Sequence, residues 1–373
     1  MRLGFFINPI AGMGGRVGLK GTDDNAVTAI RLGAKPVAPA RARDFLEGLR
    51  GTDSKEKITI VTCASPMGKD EAEEAGFSAE VLPLDLPLET SVEDTRRAVR
   101  LMVERKVDLI VFVGGDGTAR DVFDSLQSVD ADIPVLGVPS GVKMYSGTFA
   151  VNSQDAAAIV AAFVEGTAEI SEFEILDTNE NAVREDKFDL HLYGFLRGPF
   201  LPMRIQGSKQ VSPETLDEHE NQLAIAKFIV ESIDPNGVYI LGPGTTVKCV
   251  ADLLGVEKTL LGVDIYGNGR AIKDVNEETL LQETKKWQNL WVILSPVGRQ
   301  GVLLGRGNQQ ISPKVIKRID KEKIIVGATK NKLQSIEGGV LRVDTGDAEV
   351  DNLLRGYIRV VTDYREWRLV LVR

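Results

Sequence analysis

Histidine and cysteine are scarce in this chain, with two of each among 373 residues. A zinc hydrolase or a Ser-His-Asp enzyme would depend on His191 or His219, and neither sits in a recognisable partner pattern. His219 lies in LDEHENQ, which reads as a solvated helix face, and His191 lies in a strand-like alternation. Cys63 and Cys249 are far apart and match no metal or redox spacing. They read as small buried residues of a protein from a reducing compartment. No apolar run approaches the roughly 20 residues that a membrane-spanning helix needs. The opening MRLGFFINPIAGMGG reads as a buried strand entering a loop rather than an export signal, so a cytoplasmic protein is expected. Basic excess is missing as well. The formal net charge is −9, which argues against a nucleic-acid surface but not against a phosphate held by amides and a few lysines. Neither Walker A spacing nor a true Gly-x-Gly-x-x-Gly occurs, which excludes a P-loop and weakens a dehydrogenase reading. There is no internal repeat and no low-complexity tract.

What is present is an ordinary globular composition, 43% hydrophobic and 27% charged, in a chain long enough for two domains. The first 165 residues alternate compact apolar runs with helical ones. Leu3–Asn8, Lys57–Cys63, Val81–Leu84, Asp108–Val113 and Ile133–Val138 read as strands, and Ser91–Lys106 as a helix among them. Strands that are apolar on both faces and separated by helices predict a parallel sheet covered on both sides. Residues 1–165 are therefore expected to form a doubly wound α/β domain that binds a nucleotide or phosphate. The boundary is placed where EGTAEISEFEILDTNENAVRED turns polar. Residues 166–373 read as a second, mixed α/β domain. In it Lys187–Leu196, Val238–Leu241, Thr259–Ile265, Asn289–Ser295 and Lys323–Val326 are strand candidates, and Ser212–Ile233 and Val247–Leu254 helices. Tyr357–Thr362 and Trp367–Val372 suggest a closing hairpin, whose return to the first domain is left open.

The strongest chemical signal is Val113-Gly114-Gly115-Asp116-Gly117-Thr118, directly after a buried strand and before a helix, Ala119–Gln127. Glycines let backbone amides approach a ligand, and the helix presents its positive end to phosphate. An Asp at the carboxyl end of a parallel strand can accept a proton from a hydroxyl or orient a metal. The plainer alternative is a strand-to-helix turn with Asp as N-cap. Asn8 with the Gly12, Gly14 and Gly15 loop ends the first strand and suits donor phosphates, with Arg16 and Lys20 as nearby cations. Asp23 and Asp24 read as a solvated loop. Lys143, between Gly141 and Gly147, is either a phosphate-neutralising point charge or an exposed loop lysine. Gly242-Pro243-Gly244-Thr245-Thr246 repeats the strand, turn and helix pattern, as an anion site or as a Thr N-cap. The segment Gly305 to Gln310 gathers Arg306, Asn308 and two further amides, a composition suited to base or ribose recognition.

These residues carry a family resemblance. Gly114–Thr118 is the GGDGT motif of the superfamily that unites NAD kinases with diacylglycerol, sphingosine and related lipid kinases. Ile7-Asn8-Pro9 with Gly12, Gly14 and Gly15 is similar to the family's first strand and glycine-rich loop, and Val138-Pro139-Ser140-Gly141 followed by Phe149-Ala150 resembles a lipid-kinase pattern. Lys143-Met144-Tyr145-Ser146 stands where the lipid kinases carry Thr-Gly-Asn-Asp. Over nearly its whole length the chain resembles the archaeal ATP-NAD kinase branch, which also holds the acetoin-catabolism X proteins. The segments concerned are 12–24, 139–147, 242–246, 305–312 and 343–347.

The resemblance implies a kinase in which Asp116 activates the acceptor hydroxyl while Gly114, Gly115, Gly117 and Thr118 hold phosphate. It implies Mg²⁺ or another divalent cation, ATP or polyphosphate as donor, the 2′-hydroxyl of NAD(H) as acceptor, and a homo-oligomer. Ser140 and Gly141, in the loop expected to contact the acceptor, are candidate substrate contacts. Asp121 falls where lipid kinases carry an acidic residue, as a supporting group or simply a first-turn helix Asp. The expected active site lies in a cleft between the domains. A lipid substrate is disfavoured, since no basic amphipathic surface is visible. The alternatives retained are a kinase of another small alcohol or diol, and a nucleotide-binding regulator without turnover.

Overall fold

The computed structural model describes residues 1–15, 17, 26–87, 89–141, 144–178, 190–201, 204–205, 216–298 and 300–373. Arg16, Lys20, Asp23, Asp24 and Lys143, all considered above, lie outside the described residues, as do the starts of the candidate elements at Lys187 and Ser212. The chain forms two compact units. One holds the described residues of Met1–Gly14 and Gly21–Lys209, the other those of Gly15–Lys20 and Gln210–Arg373.

The first unit runs β1 (Arg2–Ile7), α1 (Ala26–Arg31), α2 (Ala38–Arg50), β2 (Thr59–Thr62), α3 (Lys69–Glu74), β3 (Ala79–Val81), α4 (Val92–Glu104), β4 (Leu109–Gly114), α5 (Asp116–Ser128), β5 (Val135–Pro139), α6 (Ser153–Val164), β6 (Glu169–Thr178) and β7 (Leu190–Phe200). Five strands form a parallel sheet in the order β3-β2-β1-β4-β5. Every residue of β4 is buried, as its unbroken apolar run predicts for a strand covered on both faces. Alternation then assigns the faces. Leu3, Phe5 and Ile7 pack with Phe45 and Leu46 of α2 and Ile159 of α6. Phe6 and Phe112 pack with Val99 of α4 and Val122 of α5 on the other side. This is the expected doubly wound arrangement.

Of the polar stretch taken as a domain boundary, Glu169–Thr178 is strand β6 of the first unit, paired antiparallel with β7, and the residues after Thr178 lie outside the described ones. Phe173 and Ile175 are buried while Glu172 beside Phe173 is exposed, and the exposed Glu169 and Ile170 at its start mix polar and apolar residues, so the strand resembles a linker in composition.

The second unit runs α7 (Leu216–Ser232), β8 (Val238–Leu241), α8 (Thr245–Leu253), β9 (Asp264–Gly267), β10 (Arg270–Ile272), α9 (Glu277–Thr284), β11 (Leu290–Leu294), β12 (Val302–Leu304), α10 (Pro313–Ile316), β13 (Ile324–Gly327), α11 (Lys330–Ser335), β14 (Arg342–Val343), α12 (Ala348–Leu354), β15 (Gly356–Asp363) and β16 (Glu366–Val372). Its seven-stranded sheet has the order β10-β9-β8-β11-β13-β15-β16. Strands β8, β11, β13 and β15 are mutually parallel, while β9 and β16 run antiparallel to β8 and β15. The closing hairpin thus joins the second unit's own sheet beside β13. The candidate strand at Thr259–Ile265 is mostly a loop, with pairing only from Asp264. That loop is held by an ion pair between Lys258 and Asp264, whose side chains are 3.2 Å apart and wholly buried. Asp264 also accepts from the Thr259 amide (3.0 Å) and the Asp274 amide (2.6 Å), so the buried charge is met by hydrogen bonds as well as by the ammonium.

Candidate active site

In the first sheet the chain works outward from β1 through β2 to β3, then crosses back to place β4 on the other side of β1. The crevice outside the carboxyl ends of β1 and β4 is therefore a topological switch point, where open α/β sheets bind ligands. Asn8 leaves the end of β1, and Gly114-Gly115 leaves the end of β4. Asn8 bridges them: its Nδ2 donates to Thr118 Oγ1 at 3.0 Å and its Oδ1 accepts from the Ile10 amide at 3.3 Å. The first loop closes against the β5 loop, since a Cβ on Gly12 (φ +80°) would lie 1.9 Å from the Ser140 carbonyl oxygen.

The two glycines of the turn do different work. A Cβ on Gly114 would sit 2.6 Å from the Thr118 side chain, so this glycine lets helix α5 pack down on its strand. Gly115 is the N-cap of α5, and a Cβ there would meet nothing within 4 Å. Among the described residues, the space next to Gly115 is open. The first bond of the helix runs from the Ala119 amide to the Gly115 carbonyl (3.0 Å), so the amides of Asp116, Gly117 and Thr118 have no partner inside the helix. They and the helix dipole form an anion-attracting end.

Asp116 is the first residue of α5, and Gly115 rather than Asp116 is the N-cap. Its Oδ2 accepts from the Tyr145 amide at 2.7 Å and its Oδ1 from the Ser146 amide at 3.0 Å. Two amide donors, one on each oxygen, suit a carboxylate acting as acceptor and fix its orientation. The donors arrive through a packing chain. Gly137 in β5 has no Cβ, and one there would lie 2.3 Å from the Phe149 ring. Phe149 can therefore lie across the strand, edge-on to Phe112 with centroids 5.4 Å apart. Gly137 donates to the Thr148 carbonyl and accepts from the Ala150 amide, both at 2.9 Å. The other side is tied to β6, where the Leu176 amide donates to Ser146 Oγ at 3.0 Å and the Gly147 amide to the Glu174 carbonyl at 2.8 Å. Tyr145 is buried, and burial first, then the charge of Asp116, push its phenol well above the usual range.

Of the other candidates, Ser140 is buried beside this turn, its amide donating to the Gly114 carbonyl (3.0 Å) and its hydroxyl without a partner. A Cβ on Gly141 would come 3.6 Å from Gly115 Cα, so Gly141 borders the open surface. Gly117 is the second residue of α5. Gly14 and Gly15 are buried turn residues, and Gly15 groups with the second unit. Asp121 points at Arg96 of α4 (3.9 Å), in a contact shared with Asp124 (3.1 Å), which ties two helices together. Asn152 caps α6, accepting from the Asp155 amide at 2.8 Å. In the second unit Gly244 (φ +117°) is the N-cap of α8, and Thr245 and Thr246 begin the helix, so the cap is glycine rather than threonine. Asn308 bonds within its own loop: its Oδ1 accepts from the Gly305 amide (3.0 Å) and its Nδ2 donates to the Leu303 carbonyl (2.9 Å). Arg306 is buried and donates to Gln300 Oε1 at 2.9 Å. His191 and His219 are both exposed, and burial pushes the Cys63 thiol up to about 12. The amides of Tyr145 and Ser146 escaped the sequence reading. Any residue supplies an amide, so only the aromatic Phe149 opposite a strand glycine could have hinted at them.

A parallel sheet whose switch point carries a glycine turn, a helix start and a fixed carboxylate places the chain in a class, the doubly wound α/β proteins. Comparison with family models gives the particular family. The model of the ATP-NAD kinase N-terminal domain matches residues 3–168, and that of the ATP-NAD kinase C-terminal domain matches residues 235–372. The chain belongs to the NAD kinase family. No curated protein and no solved structure matches it. No helix among the described residues is long and apolar enough to cross a membrane.

Proposed function

We propose that this protein transfers a phosphoryl group from ATP or polyphosphate to the 2′-hydroxyl of NAD, giving NADP. The observation that carries this reading is the pairing of a fixed acceptor with an open anion seat: Asp116, held through both oxygens, stands next to Gly115, whose Cα faces open space at the start of α5. Membership of the family supports the same activity. In this reading Asp116 takes the proton of the acceptor hydroxyl, and the amides of residues 116–118 receive phosphate oxygens. Asn8 and Thr118 hold the two loops at a fixed spacing, and Ser140 and Gly141 border the acceptor. Phosphoryl transfer is catalysed mainly by positioning and charge stabilisation, which such a rigid turn provides.

Among the described residues no group of three or more His, Cys, Asp and Glu side chains converges. A divalent cation such as Mg²⁺ fits this donor set if the donor's phosphates supply most of its ligands and Asp116 the carboxylate, a common mode for Mg²⁺. It would neutralise charge on the donor phosphates. Cytoplasmic location and self-association belong to this reading, and light scattering of the purified chain measures the second.

The test is NADP formation by purified protein with Mg²⁺ and either ATP or polyphosphate. Product that disappears on Asp116→Asn, from a variant that still binds nucleotide, supports the reading. A folded wild-type protein that consumes ATP with other alcohols but never yields NADP would overturn NAD as acceptor. One that turns over nothing would leave a binding protein.

A further inference from the structure

We propose that the Ser146 hydroxyl is a positioning group for the reaction. It ties the two amides that grip Asp116 to the β6–β7 hairpin, and the hairpin thereby sets where the acceptor's proton is taken. The proposal rests on the reading of Asp116 as the group that accepts that proton.

Ser146 is wholly buried and bonds in two directions. With its backbone it faces the carboxylate: its amide donates to Asp116 Oδ1 at 3.0 Å, next to the Tyr145 amide on Oδ2 at 2.7 Å. With its side chain it faces β6: Oγ accepts from the Leu176 amide at 3.0 Å and donates to the Leu176 carbonyl at 3.4 Å. The following amide, of Gly147, donates to the Glu174 carbonyl at 2.8 Å. Glu174 and Leu176 are two residues apart, so these backbone groups share one edge of β6. Along that edge a hydroxyl and an amide stand in for a third strand. Any residue could supply the amide to Asp116. Only a side chain that both accepts and donates can close the two bonds to Leu176.

The hairpin is held to the helix that carries Asp116 as well. Its register breaks once, where Ile175 faces Gly194 and Leu176 faces Leu192, which leaves Tyr193 as the extra residue of β7. Bulges of this kind re-aim side chains and concentrate beside active sites. This one falls at Leu176, the residue that Ser146 holds. The extra residue, Tyr193, donates its hydroxyl to Asp124 Oδ1 of α5 at 2.9 Å, and its ring meets Phe123 of α5 edge-on with centroids 5.7 Å apart. Gly194 beside it has no Cβ, and one there would lie 2.4 Å from the Phe123 ring, so β7 lies directly on α5. The hairpin therefore touches both parts of the grip, the helix that carries Asp116 and the loop that donates to it.

The Ser146 hydroxyl is spent on Leu176, so it acts through Asp116 and not on substrate. Removing it leaves the amide of residue 146 in place but unties the loop from β6. The carboxylate is then held by a looser loop. Misplacement of a reacting group slows the chemical step, whereas Gly115 and the amides of residues 116–118, outside this loop, keep their place. The effect belongs in kcat more than in KM.

The test is Ser146→Ala in the full chain, followed by hydrogen exchange and by the NADP assay. The amides of Tyr145 and Ala-substituted position 146 are expected to exchange about tenfold faster than in wild type, while those of β1 and β4 keep their rates. In the assay kcat is expected to fall about tenfold with KM for NAD within about threefold. Unchanged exchange at 145 and 146 in the folded variant, or faster exchange with unchanged kcat, overturns the proposal. Faster exchange throughout the first unit, with kcat and KM impaired alike, marks a merely structural hydroxyl and overturns it too. If Ser146→Ala does not fold, Tyr193→Phe loosens the same hairpin from α5 at an exposed position. It is expected to speed the Tyr145 and Ser146 amides about threefold, and no change there overturns the proposal. A wild-type chain that yields no NADP overturns the Asp116 reading and the catalytic part of the proposal with it. That outcome is told apart from the others because it is read without any variant.

Discussion

The starts of α5 and α8 are the same device in two settings. Each follows a buried parallel strand, each has glycine as its N-cap, and each leaves its first three amides without a partner inside the helix. They differ in why the glycine is there and in what stands beside it. Gly115 has an ordinary extended φ of −125° and is needed for the space above it, whereas Gly244 has φ +117° and is needed for its backbone conformation. Beside Gly115 is a carboxylate held by two amides; beside Gly244 are hydroxyls of Thr245, Thr246 and Ser295. Only the first turn also offers an acceptor where a hydroxyl proton could go, and that separates a site for chemistry from a helix start alone.

The comparison can be broken most sharply at Asp116. Asp116→Asn should lower the rate of phosphoryl transfer about 10²- to 10⁴-fold, the usual worth of a positioned acid–base group, measured as kcat in the NADP assay. It should also cost about 1 to 3 kcal/mol of stability, because the new amide group sets its N–H against the Tyr145 or Ser146 amide; chemical denaturation reads this. The next largest effect is expected at Gly137→Ala. Its Cβ would meet the Phe149 ring at 2.3 Å, an overpacking of about 1 to 3 kcal/mol, and the donors to Asp116 would shift with the ring. A fall in both Tm and kcat would show that packing on β5 sets the acceptor's geometry, and an unchanged kcat would refute that.

Two alanine substitutions then sharpen the difference between the glycines. Gly115→Ala should leave stability within about 0.5 kcal/mol while weakening nucleotide binding about tenfold. Gly244→Ala should destabilise by about 1 to 2 kcal/mol, since an L-residue is forced to positive φ. Calorimetry of both variants gives the two numbers, and equal destabilisation would erase the distinction.

The smallest expected effect is alkaline. The folded protein holds the Cys63 thiol neutral up to about 12 because burial penalises the thiolate. The stability this contributes is present below the ordinary thiol range and is lost as pH rises through it towards that value. Native protein should therefore be slow to react with thiol reagents at Cys63 near pH 8, and Cys63→Ser should flatten the alkaline fall in Tm.

Much of the first unit was legible because buried strands and glycine turns are local signals. The runs at Leu3–Asn8, Asp108–Val113 and Ile133–Val138 became β1, β4 and β5 with shifts of a residue or two. The charged residues of β6 hid a strand inside an apparent linker, because composition does not report the pairing with β7. Asp121 and Asn308 had the right chemistry for a ligand but were drawn into contacts with Arg96 and with the loop from Leu303 to Gly305. Residue type reports what a side chain can bond, not which partner reaches it first.

By itself the sequence determined the parallel α/β core, the two glycine turns, the family and the acidic residue at the first turn. Each of these rests on a few consecutive residues and on hydrophobic burial, which local pattern encodes. Tertiary structure alone decided that Asp116 is gripped by residues 29 and 30 positions away and that Asn8 reaches across 110 positions to Thr118. It likewise decided that Ser295 stands against Gly244. Such contacts join segments whose meeting depends on how every intervening element packs, and no local preference specifies them.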